Sequence, residues 1–450
     1  MCAKKIKKNV RSKSCELKII NPDSAGIDIG ADLMQVCVPP DRCETNNRAF
    51  GSTTSELRRI SSWLRECGIR TVLMESTGIY WQQLFRLLLA DGFEVYLAHA
   101  ADVRNMTARK TDVDDAEWLM TMMAYGTFRA CFQPDELGKK VSVLARFREG
   151  YIKESATYIN RMQKSMEQMN IKLPEVLSDI TGVSGIRILE AILDGERDPE
   201  RLASLASGRC RRSRQEIAEA LEGTWDEVYM FTLREAYDDY RHTLAKIARC
   251  DSKIEEYLYV RFDGEVMPDG CRSAKQASGS APGFDIESHC HTAYGVNLMN
   301  VPGISGATLL VILSELGVDF ISKFDTPARF CRWLNLVPNN KITGGRVVSS
   351  AVSKRKNRVG QALRQSAQAV ARSDNEIGGY YRRMRARSGA LQANVDTAHK
   401  LARIIYMMVR NRTEYDPARL GTVNRDILRK RLEKTKKAVE RLEKELMDAS

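Results

Sequence analysis

The sequence lacks the features that mark secreted and membrane-spanning proteins. No uninterrupted apolar run approaches the ~18 residues of a membrane span, and the basic residues 1–11 contain no apolar core of a secretion signal. None of the 11 cysteines forms a Cys-x-x-Cys pair, and neighbours such as His289, Cys290 and His291 rarely chelate one tetrahedral ion together. We therefore expect no membrane association and no zinc site, and we interpret the cysteines as reduced cytosolic thiols.

Acidic residues are missing from one stretch of an otherwise mixed sequence. The net charge is +12, and between positions 341 and 372 eight Lys or Arg residues occur without any Asp or Glu. A patch of this kind neutralises phosphates and releases their counterions, which predicts a nucleic acid as the partner. The alternative is a solvated basic face without a ligand.

Periodicity divides the 450 residues into an α/β part and an all-α part. Strand patterns at 25–38, 47–51, 71–74 and 94–98 alternate with helical patterns, which predicts an α/β layer fold. Further along, the spacing is helical, and an apolar seam interrupted by Asp251 is typical of a coiled coil. An antiparallel hairpin, an oligomer contact and a plain helical bundle all fit this seam. Its apolar positions are Tyr237, Tyr240, Leu244, Ile247, Ile254 and Leu258.

These patterns predict six segments along the chain. They are a basic flexible arm at 1–22, an α/β domain at 23–140, a helical coiled-coil region at 141–262, a linker rich in Gly, Ser and Pro at 263–291, a mostly helical domain at 292–415 and a basic amphipathic helix at 416–450.

Four carboxylates in the α/β part occupy positions from which they can converge. Asp28 lies in the first strand between two glycines, and Glu75 ends a separate apolar strand, where an acid without a partner is costly. Asp112 and Asp115 are three residues apart, so they share one face at the start of a helix. Carboxylate oxygens suit hard divalent ions such as Mg²⁺ or Mn²⁺, which support phosphodiester cleavage. A turn residue at Asp28 and a helix cap at Asp112 are the structural alternatives.

An ordered set of motifs carries a resemblance to a known family. Gly26-Ile-Asp-Ile-Gly30, Met74-Glu-Ser-Thr-Gly78 and Lys110-Thr-Asp-Val-Asp-Asp-Ala116 resemble the N-terminal motifs of the transposases of insertion sequence family 110. Val301-Pro-Gly-Ile-Ser-Gly306, and the stretch from Trp333 through Ile342-Thr-Gly-Gly-Arg346, resemble the second domain of that family. The sequences of these motifs are closest to those of the 1111 subgroup, and the resemblance covers residues 23–415.

The resemblance implies both a fold and a reaction. The α/β domain is expected to be ribonuclease-H-like (RuvC-type), with Asp28, Glu75, Asp112 and Asp115 as its catalytic and metal-binding set. The helical domain at 292–415 is expected to be a transposase domain that supplies a nucleophilic hydroxyl. The implied partners are DNA, at the element ends and the target, and a noncoding guide RNA encoded by the element. Because recombination involves two duplexes and four strand cuts, we also expect a homo-oligomer, a dimer or a tetramer, in the bacterial cytoplasm at the nucleoid.

The nucleophile of that family is a serine, and this sequence departs from it. The matching position is Thr343, whose hydroxyl can attack a phosphate, although its methyl group crowds the attack and restricts χ1. A nearby serine could substitute for Thr343, or the protein could be catalytically weak. The nearby serines are Ser349, Ser350 and Ser353.

Glycines and basic residues predict the nucleic-acid contacts. Gly344 and Gly345 permit close backbone approach, and Arg346 can hold a phosphate through a bidentate fork. A Gly-rich turn at Gly303 and Gly306, echoed at 180–186, can present backbone N–H groups to a phosphate, although an ordinary helix connection is the alternative. The remaining predicted contacts are Lys354, Arg355, Lys356, Asn357 and Arg358.

The sequence as a whole predicts a metal-dependent DNA recombinase that excises and inserts its own element. One alternative is a junction-resolving nuclease, which needs only the four acids and forms no covalent link to DNA. The other is a non-catalytic nucleic-acid-binding protein.

Overall fold

The computed structural model describes residues 18–75, 78–98, 112–208, 210–262, 272–273, 280–353, 357–417 and 436. Most of the predicted basic arm, the predicted contacts Lys354, Arg355 and Lys356, and nearly all of the predicted C-terminal helix lie outside these residues. The chain divides into two compact units, Met1–Gln133 and Pro134–Ser450. Within the described part, no helix has both the length and the apolar character needed to span a bilayer.

The first unit is a five-stranded mixed sheet with helices on both faces. The strand order is β3-β2-β1-β4-β5, in which β1 pairs antiparallel with β2 and parallel with β4. The strands are β1 (Ser24–Ile29), β2 (Leu33–Cys37), β3 (Asn47–Gly51), β4 (Thr71–Glu75) and β5 (Glu94–Ala98). The described helices are α1 (Thr54–Glu66), α2 (Trp81–Ala90) and α3 (Asp112–Tyr125). The α/β part of the predicted fold is therefore confirmed, and its strands lie where periodicity predicted them.

Alternation along the strands sends side chains to two different apolar layers. Ala25, Ile27 and Ile29 of β1 lie in one core, which also contains buried residues of α1 and α2. The opposite face is covered by α3, whose Ala116 and Met120 pack with Cys37. Leu119, Met122 and Met123 of α3 continue this layer over β4 and β5. Gly26 and Asp28 of β1 are thereby directed to the α3 side of the sheet.

The described residues of the second unit are mostly helical, as predicted, and they include one β-hairpin. Two long helices, α4 (Glu136–Gln168) and α9 (Glu227–Phe262), are joined by the short helices α5 (Leu173–Val176), α6 (Val183–Leu193), α7 (Pro199–Ser204) and α8 (Arg214–Ala220). The remainder contains α10 (Ile286–Tyr294), α11 (Gly306–Leu316), α12 (Phe320–Lys323), α13 (Pro327–Trp333), β6 (Lys341–Thr343), β7 (Arg346–Ser349), α14 (Arg358–Ala369) and α15 (Glu376–Asn411). Helix α10 begins inside the predicted linker.

The helices α4 and α9 form an antiparallel pair. Arg148 of α4 contacts Asp251 of α9. Further along α4, the Ser165 hydroxyl lies 2.9 Å from the hydroxyl of Thr232, which precedes Asp251, so the two helices run in opposite directions. Tyr237, Tyr240, Ile254 and Leu258 are buried at this interface as the seam predicts. The prediction is wrong at Leu244, which is 39% exposed, because the neighbouring Thr243 is the buried residue in that turn.

The polar interruption at Asp251 is a buried ion pair with Arg148. Their side chains are only 8% and 5% exposed, and Arg148 Nε donates to Asp251 Oδ1 at 2.5 Å. The same guanidinium donates to the carbonyl oxygens of Ser280 and Ala281 at 3.0 and 2.7 Å, and the Gly283 N–H donates to Asp251 Oδ2 at 3.0 Å. Both charges are thus fully hydrogen-bonded, which is the condition under which a buried pair is tolerated.

We predict that Asp251→Leu alone will lower the free energy of unfolding by about 3–5 kcal/mol, because it leaves the Arg148 charge buried without its partner. The double variant Arg148→Met with Asp251→Leu should recover a substantial part of that loss. Chemical denaturation followed by circular dichroism measures both. The matched control is Lys253→Met with Glu256→Leu, an exposed pair on the same helix, which should leave the unfolding midpoint unchanged. Strictly additive losses in the double variant would contradict the role assigned to the pair.

Candidate active site

Two of the four predicted acids lie on one face of the sheet, at the ends of neighbouring parallel strands. The register pairs Ile27 with Met74, so Asp28 and Glu75 are the next residues along β1 and β4. Both side chains are half-buried. Both alternate with the residues of the α1–α2 core, which directs them to the α3 side. Parallel pairing therefore brings together acids that are 47 positions apart in the sequence.

Helix α3 carries the other two acids in its first turn. Asp115 is half-buried and precedes Ala116, which packs on the sheet, whereas Asp114 is exposed. This difference agrees with the helical direction that separates Asp114 from Asp112 and Asp115. The Asp112 backbone begins the helix, while its side chain lies outside the described residues.

A glycine sets how closely α3 approaches the strand that carries Asp28. A Cβ built on Gly26 would lie 2.1 Å from the Ala116 carbonyl oxygen and 2.2 Å from the Met120 nitrogen. No larger residue fits such a backbone-to-backbone contact without displacement. The first glycine of the Gly-Ile-Asp-Ile-Gly motif is therefore required by packing, directly beside the first turn of α3.

Two amides that the sequence analysis missed connect this turn to the sheet. Gln35, opposite Asp28 in the β1–β2 register, donates to the Asn47 side-chain oxygen. The Asn47 Nδ2 group in turn donates to the Val113 carbonyl at 3.2 Å. Gln35 is buried, and a polar residue at an inward position of a strand was the available signal.

Cys37 also lies under α3 on this face. Burial, together with the charge of Glu117, raises the pKa of this thiol to about 12. A thiol with such a pKa stays protonated at neutral pH, which makes Cys37 a poor nucleophile.

The donor chemistry of this face fits a hard divalent cation, because carboxylate oxygens are the ligands that Mg²⁺ prefers. Within the described residues, however, no three His, Cys, Asp or Glu side chains lie close enough together to hold a metal ion. The described geometry thus brings Asp28 and Glu75 to one face and Asp115 to the covering helix. Metal binding by the four-acid set stays a prediction.

Thr343 lies at the tip of the β6–β7 hairpin. It pairs with Arg346 across a two-residue turn, Gly344-Gly345, whose φ values are +55° and +77°. Two consecutive positive φ values match a type I′ turn, which favours glycine at both positions. Thr343 and Arg346 are exposed, and the Thr343 hydroxyl has no hydrogen-bond partner among the described residues.

Cross-strand pairing places the Arg346 side chain beside Thr343, since directly opposite Cβ atoms lie about 4.5–5.5 Å apart. An arginine at this position can hold a phosphate next to the hydroxyl. The three nearby serines follow the turn: Ser349 ends β7 and accepts a 3.4 Å hydrogen bond from the Ala351 N–H, Ser350 is exposed and Ser353 is half-buried.

Asn357 and Arg358 are engaged within the protein. Asn357 caps α14 by accepting from the Gly360 N–H at 2.9 Å, and its amide donates to the Trp333 carbonyl at 3.1 Å. Arg358 forms ion pairs with Glu149 and with Glu315, the latter at 3.1 Å. Both side chains thus have partners within the protein, and their contact with nucleic acid stays a prediction.

Packing accounts for Gly303 and Gly306. A Cβ on Gly303 would lie 2.7 Å from the Ser366 carbonyl oxygen, and Gly306 is buried against Ile286. Gly303 also has a φ of +87°, which a residue with a side chain rarely adopts. Phosphate binding at this turn remains a prediction.

Comparison with known families supplies the decisive observation. Residues 25–171 match the DEDD transposase family model of IS110, and residues 296–382 match the transposase model of the IS116/IS110/IS902 family. The chain carries the two domains of the IS110 transposases. No curated protein matched the chain.

The two matches enclose every predicted catalytic residue of this IS110 transposase chain. Asp28, Glu75, Asp112 and Asp115 fall within the first match, and Thr343 falls within the second. The first match continues past the sheet and through the long helix α4. The family is therefore supported on both sides of the division between the two units.

We predict that Gly26→Ala will cost about 1–3 kcal/mol of stability through overpacking and will abolish transposition by displacing α3. The measurements are chemical denaturation and an excision assay in cells. The control is Gly150→Ala, within α4, where an added Cβ meets nothing within 4 Å. That change should be neutral or stabilise by up to about 1 kcal/mol. Native stability and native excision for Gly26→Ala would refute the close contact between α3 and β1.

Proposed function

We propose that this IS110-family DNA transposase excises and inserts its own insertion sequence by metal-assisted strand cleavage and rejoining, with Thr343 as the nucleophile. The observation that carries the proposal is the placement of Asp28 and Glu75 on adjacent parallel strands, under the helix that bears Asp115. Thr343 supports it from the second domain, because its hydroxyl is exposed beside an arginine. The motif sequences further favour membership of the 1111 subgroup.

The proposed reaction is a pair of phosphate-ester exchanges. The Thr343 oxygen attacks the phosphorus of a DNA phosphodiester and loses its proton. The bond from that phosphorus to the leaving deoxyribose oxygen breaks, and the oxygen takes up a proton. In the second exchange, a hydroxyl of another strand attacks the threonine phosphoester and releases Thr343. Each step makes one phosphate ester and breaks one, so no nucleotide cofactor is needed to reseal the strands.

The four acids, Asp28, Glu75, Asp112 and Asp115, are proposed to hold Mg²⁺ or Mn²⁺. Such ions polarise phosphoryl oxygens and stabilise the charge on the leaving oxygen. The protein positions these acids. Gly26 sets how closely α3 approaches β1, and the hydrogen bonds from Gln35 through Asn47 hold the first turn of α3 to the sheet. At the hairpin tip, Arg346 is proposed to bind the phosphate that Thr343 attacks.

The partners proposed for this transposase are its element ends, a target DNA and a noncoding guide RNA encoded by the element. The RNA rests on the family resemblance, and the basic surface would bind either nucleic acid, because phosphate contacts carry no sequence information. We propose a homo-oligomer, because four strands of two duplexes must be cut. The proposed location is the bacterial cytoplasm, at the nucleoid.

We predict that Asp28→Ala and Asp115→Ala will each abolish excision, because they remove ligands of the proposed metal set. The matched control is Asp114→Ala, an exposed acid in the same turn, which should retain native excision. The assay uses the element's flanking DNA in cells, with protein levels checked by immunoblotting. Native excision by Asp28→Ala would contradict a catalytic role for the domain and favour a non-catalytic nucleic-acid-binding protein.

We predict that Thr343→Ala will abolish excision and that Thr343→Ser will retain or raise it, since serine keeps the hydroxyl and removes the crowding methyl. Denaturing gels with labelled DNA should show a protein–DNA adduct for threonine and serine but not for alanine. Single alanine variants of Ser349, Ser350 and Ser353 test the nearby hydroxyls and should be active. Normal recombination by Thr343→Ala would show that the nucleophile is assigned wrongly. Cleavage that never yields an adduct would instead favour the junction-resolving nuclease.

A further inference from the structure

The last long helix, α15, reverses direction at Gly389. This residue has φ +83° and ψ 170°, which are not helical values. Lys400 Nζ nevertheless lies 4.3 Å from the centroid of the Tyr380 ring. Twenty residues of straight helix would separate the two by about 30 Å. The segments before and after Gly389 therefore lie side by side as a helical hairpin.

One face of this hairpin carries a row of cations. On the first segment, Arg383 and Arg387 are four residues apart and share a face with Tyr380. On the second segment, Lys400 and Arg403 are three residues apart and share a face in the same way. The packing of Lys400 on Tyr380 joins the two rows. We call Arg383, Arg387, Lys400 and Arg403 the basic stripe.

The basic stripe is not neutralised by the protein. Among the described residues, none of its four side chains forms a salt bridge with a carboxylate, and its three arginines are exposed. Asp396 shares the face of Lys400 on the second segment, and it accepts a 2.9 Å hydrogen bond from Gln392. Arg358 and Arg364 differ, since Arg358 is paired with Glu149 and Glu315, and Arg364 donates to the Asn335 carbonyl.

The cations of the stripe are close enough to oppose each other's charge. Burial, together with the charge of Arg383, lowers the pKa of Lys400 below its usual range. An anion bound between the two segments would relieve this repulsion. Lys400 is held in place for such contact, because cation–π attraction keeps its ammonium over the Tyr380 ring.

We infer that the basic stripe binds the phosphate backbone of a nucleic acid, as a site separate from the Thr343 hairpin. A row of four cations along two packed helical segments suits successive phosphates of one strand better than a single small anion. The inference rests on the proposed function for the presence of DNA and RNA, but it does not depend on any chemical step.

The test is equilibrium binding of the full-length protein to labelled duplex DNA and to labelled single-stranded RNA of equal length, at several salt concentrations. Each phosphate contact that is lost lowers the slope of log affinity against log salt by about 0.9 for duplex DNA and about 0.7 for single strands. The double variant Arg383→Gln with Arg387→Gln removes two such contacts. It should therefore reduce the magnitude of the slope by about 1.8 for duplex DNA and by about 1.4 for single strands, and weaken binding about tenfold per contact near 0.1 M salt.

The matched control is Arg385→Gln against Arg387→Gln. Both arginines are exposed on the first segment, but Arg385 faces away from the stripe, so only Arg387→Gln should lower the slope.

A loss confined to the DNA probe or to the RNA probe identifies which backbone the stripe holds. Unchanged slopes for the double variant with both probes, or equal losses in the two single variants, would overturn the inference. The binding assay contains no cleavage step, whereas excision in cells measures the proposed chemistry, so failure of the stripe is distinguishable from failure of that chemistry.

Discussion

The buried Arg148–Asp251 pair is the constraint around which the second unit is organised. It joins α4 to α9 and anchors the segment from Ser280 to Gly283, which leads into α10 and the helices that follow. Its cost in desolvation is met by hydrogen bonds from three separate parts of the chain, and this makes the arrangement specific. Apolar residues at both positions could pack α4 against α9 but would remove every one of these hydrogen bonds to the 280–283 segment.

The same constraint extends to the helix that follows the Thr343 hairpin. Two residues before Arg148, Arg146 binds Glu315 of α11 at 2.8 Å, and Arg358 of α14 binds both Glu315 and Glu149. These charges line a cavity of about 610 Å³ between α4, α11 and α14. Although burial opposes it, the contacts from Lys153 and Arg358 lower the pKa of Glu149, so this carboxylate stays ionised at neutral pH. The start of α14 is thereby held to α4, one short segment after β7.

The sequence predicted the sheet well because its physical signals are local. Strand alternation gave the bounds of β1 to β5 closely, whereas the β6–β7 hairpin around Gly344 and Gly345 was not predicted. The helical seam failed at Leu244, where local periodicity could not show that Thr243 is the buried residue of that turn. The partners of Arg358 and Asn357 within the protein were not predicted, for a related reason. Their partners, Glu149 and Trp333, are distant in the sequence, so only tertiary structure reveals that both side chains are already engaged.

Net charge therefore identifies a polyanion partner more reliably than it locates the binding site. The stretch from 341 to 372 has no acid of its own, yet Arg358 is neutralised by carboxylates from α4 and α11, and Arg364 is committed to a carbonyl. The segment before Gly389 is also rich in arginines, but its environment differs. There the chain folds back on itself and brings Lys400 towards Arg383. Since a cation already paired in the folded protein must lose that partner to bind a phosphate, the cations that the fold leaves crowded are the ones positioned to contribute binding free energy.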